Sequence, residues 1–216
     1  MFKTIANDEK FGPKHWIWPE YDTKLRQINS MVHDCEKFLH LLPDYRTCIQ
    51  AGGACGVWPA YLAQMFEQVY TFEPDFVNYN CLLENTHDIK NITATLAALS
   101  NTAHNRSMTL PPSEQGNAGA KYLGSQLGGE TQCLIIDNLG LVNVDLIYLD
   151  IEGHEYQALM GAHLLLERDK PMVVIEAKPL PQYADPTGNA AKAGKYLESL
   201  GYKCRMKIKW DYVYTC

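Results

Sequence analysis

The sequence predicts an α/β fold: a mostly parallel sheet with helices on both faces and an antiparallel C-terminal edge. Three features carry that expectation. From Arg46 onward, short apolar runs alternate with stretches of helical spacing, the pattern of βαβ units. Leu146, Ile147, Tyr148 and Leu149 are consecutive apolar residues, as in a parallel strand buried on both faces. The chain ends with two strand-like segments, Tyr202–Trp210 and Tyr212–Thr215. A parallel crossover between them would need about a dozen residues, so the pair is antiparallel.

The elements follow in order. Residues 1–21 show no periodicity and place Phe11, Trp16, Trp18 and Tyr21 among prolines and charges, which reads as an extended arm packed on the domain or a flap over a site. Over 22–41, Leu25, Ile28, Val32, Cys35 and Leu39 recur at helical steps, with Pro43 beyond the end. Thr47–Ala51 is a strand, followed by a glycine-rich turn and a helix with Pro59 near its first turn. Val69–Phe72 is the next strand, and Asp75 caps a helix to about Asn85. Strands follow at Ile92–Leu99, Ser107–Leu110, Cys133–Ile136, 144–150 and Met172–Glu176, with helices at 154–168 and Ala190–Leu200. Residues 1–45 form an N-terminal arm and helix, and 46–216 a single domain with neither repeat nor linker.

Composition narrows the function. Net charge is −6, which disfavours broad contact with nucleic acid or anionic lipid. Lys203, Arg205, Lys207 and Lys209 alternate with apolar residues and read as the solvated face of a half-buried strand. The seven cysteines form no C-x-x-C pair and read as buried hydrophobes in a reducing compartment. No apolar run reaches the roughly 18 residues of a membrane span, and the N-terminus lacks the apolar core of a signal peptide. The expected location is the cytoplasm, with no membrane partner.

Chemistry concentrates at three strand tips, where ligands bind in open α/β sheets. The first is Gln50-Ala51-Gly52-Gly53-Ala54-Cys55-Gly56. Small residues allow close backbone approach, and a helix start offers free N–H groups to an anion. The second is Glu73, 17 residues after Gly56, placed as an acid that accepts ribose hydroxyls. The two together point to an adenosine-type ligand. The third is the run VDLIYLDIEGHE, whose strand ends in Asp150, Glu152 and Glu155 around Gly153 and His154. Acids gathered there repel one another, so a function competes with the plainer reading of a polar helix start. Asp150, His154, Glu155 and Glu176 are the candidate bases. A metal-free site ranks above a cation held by Asp150, Glu152 and Glu155. His87 and His104 read as solvated, and Cys55 shows no sign of redox chemistry.

The segments AGGACG, FEPDFVNYNCLLEN, AALSN, VDLIYLDIEGHEYQALMGA and PMVVIEAKP resemble FkbM-type S-adenosylmethionine-dependent methyltransferases in order and spacing. The resemblance covers about 46–180, and Asp-Ile-Glu-Gly-His-Glu is its most specific part. It implies a Rossmann-like class I methyltransferase fold, S-adenosyl-L-methionine as cofactor, and O-methylation of a saccharide or small natural-product-like acceptor. It also implies that Gly52, Gly53 and Gly56 line the methionine moiety and that Glu73 binds the ribose. By the same carry-over, Leu99 and Ser100 flank the adenine, and Asp150 sits beside sulfonium and acceptor. Gln50 stands where the family has an acid and Ala54 where it has an asparagine. Gln50 can still hydrogen-bond the cofactor's amino group but brings no charge. Two alternatives remain. A non-catalytic cofactor-binding relative is motivated by Gln50 and Ala54. A nicotinamide-dependent oxidoreductase would use the same glycine turn, against which Ala51 and the antiparallel ending count.

Overall fold

The computed structural model describes residues 1–110, 114–177 and 189–216. In chain order its strands and helices are β1 (Phe2–Ala6), β2 (His15–Pro19), α1 (Leu25–Val32), α2 (Glu36–Leu39), β3 (Thr47–Ala51), α3 (Val57–Leu62), β4 (Gln68–Phe72), α4 (Phe76–Thr86), β5 (Ile92–Thr95), β6 (Ala98–Leu99) and β7 (Arg106–Thr109). There follow β8 (Tyr122–Leu127), β9 (Cys133–Leu134), β10 (Val144–Leu149), α5 (Glu155–Met160), α6 (His163–Asp169), β11 (Met172–Glu176), α7 (Asn189–Ser199), β12 (Lys203–Ile208) and β13 (Asp211–Thr215).

Seven strands form the central sheet in the order β5-β4-β3-β10-β11-β13-β12. All neighbours from β5 to β11 pair in parallel, and β13 runs antiparallel to both β11 and β12. The antiparallel strand therefore lies one place in from the edge, and β12 at the edge points the same way as β11. Period-two alternation sorts side chains to two cores. Cys48, Leu146, Tyr148 and Val174 face the N-terminal helices, including Leu25, Phe38, Val57 and Leu62. Ile49, Ile147, Leu149, Val173 and Ile175 face α5, α6 and α7 through Leu159, Leu165 and Leu197. Tyr148 stacks on Trp58, with ring centroids 4.9 Å apart.

Strand order reverses between β3 and β10, the place where such sheets open a crevice at their carboxyl ends. One polar side chain steadies this central pair. Buried Asp145 accepts hydrogen bonds from the Arg46 backbone N–H at 2.7 Å and from its guanidinium at 3.1 and 2.5 Å. An acid inside an apolar strand is thereby satisfied.

Several elements differ from the sequence reading. Residues 1–21 contain the antiparallel hairpin β1–β2, and Trp16 and Trp18 are buried in the same core as α1 and α3. The 22–41 helix is interrupted by a 3-10 turn at His33–Cys35. The Ile92–Leu99 strand splits, because β5 stays in the central sheet while β6 pairs with β9. The 154–168 helix breaks after Met160, where a Cβ on Gly161 would lie 2.3 Å from the Ser100 carbonyl oxygen. All seven cysteines are free and five are buried. Among the described residues no helix is long and apolar enough to cross a membrane.

Buried Asn85 ties the hairpin to the glycine loop. Its Oδ1 accepts from Ile17 N at 2.7 Å, and its Nδ2 donates to Ile17 O at 2.9 Å and Cys55 O at 2.7 Å. Asn85→Ala strands these groups and should cost about 1–3 kcal/mol in denaturant unfolding. Amide exchange at 15–19 should accelerate with it. Unchanged exchange there would show that the hairpin is held by other contacts.

Candidate active site

A cavity of about 570 Å³ opens at the carboxyl ends of β3, β4 and β10, a volume in the usual range of small-molecule sites, about 300–1,000 Å³. Gly52, Gly53, Glu73, Leu99, Asp150 and His154 lie on its wall, whereas Gln50, Gly56, Ser100, Glu155 and Glu176 do not.

The glycine loop is shaped by close packing. Gly52 has φ +83°, and a Cβ there would sit 1.9 Å from the Asp150 carbonyl oxygen. Gly52 and Gly53 both donate backbone N–H bonds to Phe72 O at 3.0 Å, which lays the loop across the tip of β4. Gly56, at φ +97°, starts α3 from behind the wall. Ala54 takes φ +43°, a left-handed conformation that asparagine tolerates better than alanine. Gln50 is fully buried. Its Nε2 donates to Ala51 O at 3.2 Å and Gly52 O at 3.1 Å, and its Oε1 accepts from Thr71 Oγ1 at 2.5 Å. Its amide thus braces the loop from beneath.

Glu73 ends β4, buried, with both carboxylate oxygens engaged. Oε2 accepts from Ala54 N at 2.7 Å and Oε1 from Asp75 N at 2.8 Å. Burial pushes its pKa up to about 7 against the pull of these bonds. Each oxygen keeps a second lone pair, available to hydroxyl donors from the cavity. Beside it, Ala97, Ala98 and Leu99 form an apolar stretch of wall.

On the opposite side, ligand oxygens of Asp150, Glu152 and Glu176 lie within 4.8 Å of one another. Asp150 and Glu152 face the cavity, and Glu176 stands behind them at the tip of β11. Hard divalent cations take such oxygens, so these residues could hold one. Glu155 is outside the trio. Its Oε1 accepts from Ile151 N and Gly153 N, both at 3.2 Å, and its Oε2 is buried without a partner. Burial pushes Glu155 up to about 7, and its role here is to brace the turn that presents Asp150 and Glu152. His154 Nε2 pairs with Ser100 Oγ at 3.0 Å. Burial, then Arg106, push its pKa down to about 4, which makes it a neutral hydrogen-bonding group and a weak base.

The N-terminal arm and the loop before β8 were expected to lie near a site, and they supply Trp18, Asn117, Ala118, Gly119 and Lys121 to the wall. Lys24, Gln27 and Met31 from the 22–41 segment, and Lys209 and Trp210 from the β12–β13 turn, escaped the sequence reading. Asp22 locks the first two groups together, accepting from Trp18 Nε1 at 2.9 Å and from Ala118 N. Lys209 also leaves the basic stripe. The strand stops at Ile208, and Lys209 turns with φ +55° to pair with Asp34 at 2.6 Å. Only its hydrophobic periodicity suggested a strand residue.

The sequence profile of the methyltransferase FkbM domain matches residues 59–204. The chain belongs to the FkbM methyltransferase family. Among curated proteins none matches significantly. Among solved structures, the FkbM methyltransferase of Methylobacillus flagellatus KT is similar at 21% identity and TM-score 0.52, over 92% of this chain. This chain spans only 55% of that one. A precorrin-6y C5,15-methyltransferase from Geobacter metallireducens GS-15 is similar at TM-score 0.53 and 11% identity, covering 91% of this chain and 90% of its own. Aeropyrum pernix fibrillarin, solved with natively bound S-adenosyl-L-methionine, is similar at TM-score 0.50 and 14% identity, covering 99% and 81%. At these identities the likeness concerns the class I methyltransferase fold.

S-adenosyl-L-methionine is the cofactor of FkbM methyltransferases, and the wall fits it. An apolar stretch suits a purine, a buried acceptor-only carboxylate suits ribose hydroxyls, and a side-chain-free loop admits the methionine moiety.

The buried acids set a pH dependence. An unfolded glutamate ionises near 4.5, whereas folded Glu155 holds its proton to about 7. Its contribution to stability is therefore intact below 4.5 and is lost as pH rises towards 7. Each pKa unit corresponds to about 1.4 kcal/mol. His154 acts in the opposite sense, so the comparison must isolate Glu155. Unfolding free energies of wild type and Glu155→Gln should diverge in the mutant's favour from about pH 5 to 7. A constant difference across that range would contradict the raised pKa.

Proposed function

We propose that this FkbM methyltransferase transfers a methyl group to a hydroxyl oxygen of a saccharide or small natural-product-like acceptor, with Asp150 taking the hydroxyl proton. The observation that carries the reading is the position of Asp150. It sits on the cavity wall, its carbonyl packed under Gly52 and its backbone N–H donating to Ala51 O at 3.1 Å. It is thus where the loop that would hold the methionine moiety meets the carboxylate trio.

When bound, the cofactor supplies an electrophilic methyl group, and the rest falls to the chain. Glu73 would accept the ribose hydroxyls, Leu99 would pack against the adenine, and the 52–54 backbone would contact the methionine moiety. Asp150 would hold the acceptor hydroxyl, positioning being the larger source of acceleration in such a displacement, and would take its proton. Glu152 and Glu176 lie within 4.8 Å of it. His154 and Ser100 form a neutral pair behind the adenine position. A cytoplasmic setting is part of the same reading, supported by seven cysteines without a disulfide.

The second reading, a relative that binds cofactor without catalysis, draws on Gln50, whose amide is spent on the loop and on Thr71. Two measurements separate them. In calorimetry, S-adenosylhomocysteine should bind more tightly as pH rises through about 7, because hydroxyl donors favour ionised Glu73. Glu73→Gln should flatten that profile and weaken binding about tenfold or more, as loss of a charged hydrogen bond does. In a cell extract given a deuterated methyl donor, wild type should produce a methylated product. Asp150→Asn should bind S-adenosylhomocysteine normally and lose about 100-fold or more in rate. Full turnover by Asp150→Asn would refute the base; binding without transfer by wild type would favour the second reading.

A further inference from the structure

Backbone strain in this protein gathers at the cavity. Among the described residues, five non-glycine residues have positive φ, namely Ala54, Asn143, Glu152, Lys170 and Lys209. Ala54, Glu152 and Lys209 are on the cavity wall. Ala54 belongs to the glycine loop and Glu152 to the carboxylate turn, but nothing in the cofactor site accounts for Lys209. Left-handed non-glycine residues are disfavoured and persist where surrounding structure holds them.

Lys209 is held firmly. Its ammonium pairs with Asp34 at 2.6 Å, and the next residue is pinned through Trp210 O, which accepts from Ala177 N at 2.8 Å. What this geometry presents is an indole. Trp16, Trp18 and Trp58 are at most 7% exposed, whereas Trp210 is 43% exposed and lines the cavity. Its neighbour Asp211 stands opposite Glu176 in the sheet register, so the turn begins beside the tip of β11, and the cavity that Trp210 lines is also lined by Asp150 and Glu152. One cavity thus holds an exposed aromatic ring and carboxylate oxygens.

We propose that the Lys209–Trp210 turn is the acceptor platform: the indole stacks against the apolar C–H face of a pyranose-like ring and aims one ring hydroxyl at Asp150. The proposal rests on the methyltransferase reading above and deepens it. A ring with an apolar face and a rim of hydroxyl donors matches both surfaces, since aromatic faces are electron-rich and carboxylates only accept. A cationic amine matches less well. Lys207 Nζ already lies 5.5 Å from the centre of the Trp210 ring, so an incoming ammonium would meet another cation there. The Asp34 pair joins the platform to the segment that supplies Gln27 and Met31 on the facing wall.

The test is saturation-transfer NMR on the full chain loaded with S-adenosylhomocysteine. Methyl α-D-glucopyranoside and methyl α-L-rhamnopyranoside are the probes, with methylammonium as comparison. Wild type should transfer saturation to ring C–H protons of at least one glycoside. Trp210→Ala should weaken that binding about fivefold, the equivalent of ~1 kcal/mol of stacking, and Trp210→Phe should restore most of it. S-adenosylhomocysteine affinity should be the same in all three. Equal transfer in Trp210→Ala, or transfer to methylammonium alone, overturns the platform. So does absence of transfer to both glycosides while S-adenosylhomocysteine binds. Failure of wild type to bind S-adenosylhomocysteine instead overturns the underlying function.

Discussion

One buried carboxylate joins the two walls of the cofactor crevice. Glu73 accepts from Ala54 in the glycine loop and from Asp75 at the start of α4, and with the Gly52 and Gly53 N–H bonds to Phe72 O it fixes the tips of β3 and β4 relative to each other. Burial opposes its charge and the two N–H donors favour it. The balance leaves the group divided between its protonated and ionised forms near pH 7. Additional hydroxyl donors tip it towards the ionised form, so a ligand able to supply them completes the hydrogen bonding that the protein leaves half made. Asn85 extends the same arrangement outward by bonding both Cys55 and the N-terminal hairpin.

The other side of the cavity is organised by a second buried acid. Glu155 gathers the Ile151 and Gly153 N–H groups and so holds Glu152 in a left-handed conformation at φ +53°. The acids that face the cavity are therefore oriented by an acid that does not. Two buried carboxylates with raised proton affinity, Glu73 on the wall and Glu155 behind it, make the site costly to keep folded as pH rises. Stability given up at a site in this manner is commonly tied to function.

The sheet, its order of strand types and the glycine loop with Glu73 were legible because each rests on local pattern. A continuous apolar run marks β10, Asp75 marks the start of α4, and small residues mark the loop. Roles that depend on side-chain direction were not legible. Glu155 shares the acidic segment of Asp150, and Glu176 ends its own strand as a like acid, yet one turns inward to the backbone and the other stands behind the wall. Gln50 lies in β3 just before the glycine loop and spends its amide beneath it. The Lys209–Trp210 turn was hidden by an alternation that ran on past the end of β12. The N-terminal arm reads as a packed arm or a flap over a site, but its partners, such as Ala118 for Asp22, were not legible because they are distant in sequence. Within the helix read over 154–168, the break rests on residues distant in sequence: Gly161 packs on the Ser100 carbonyl, and the Asp137 carboxylate accepts from Leu164 N and Leu165 N at the start of α6.

The central claim is that the Glu73 carboxylate and the 52–54 backbone hold one end of the cofactor, which sets its reactive end against Asp150. A crystal structure of the full chain with S-adenosylhomocysteine tests it most directly. The account predicts both ribose hydroxyls within hydrogen-bond distance of Glu73 and the thioether sulfur turned towards Asp150. A ligand seated with Glu73 bonded only to Ala54 and Asp75, or with its sulfur directed away from Asp150, would contradict it.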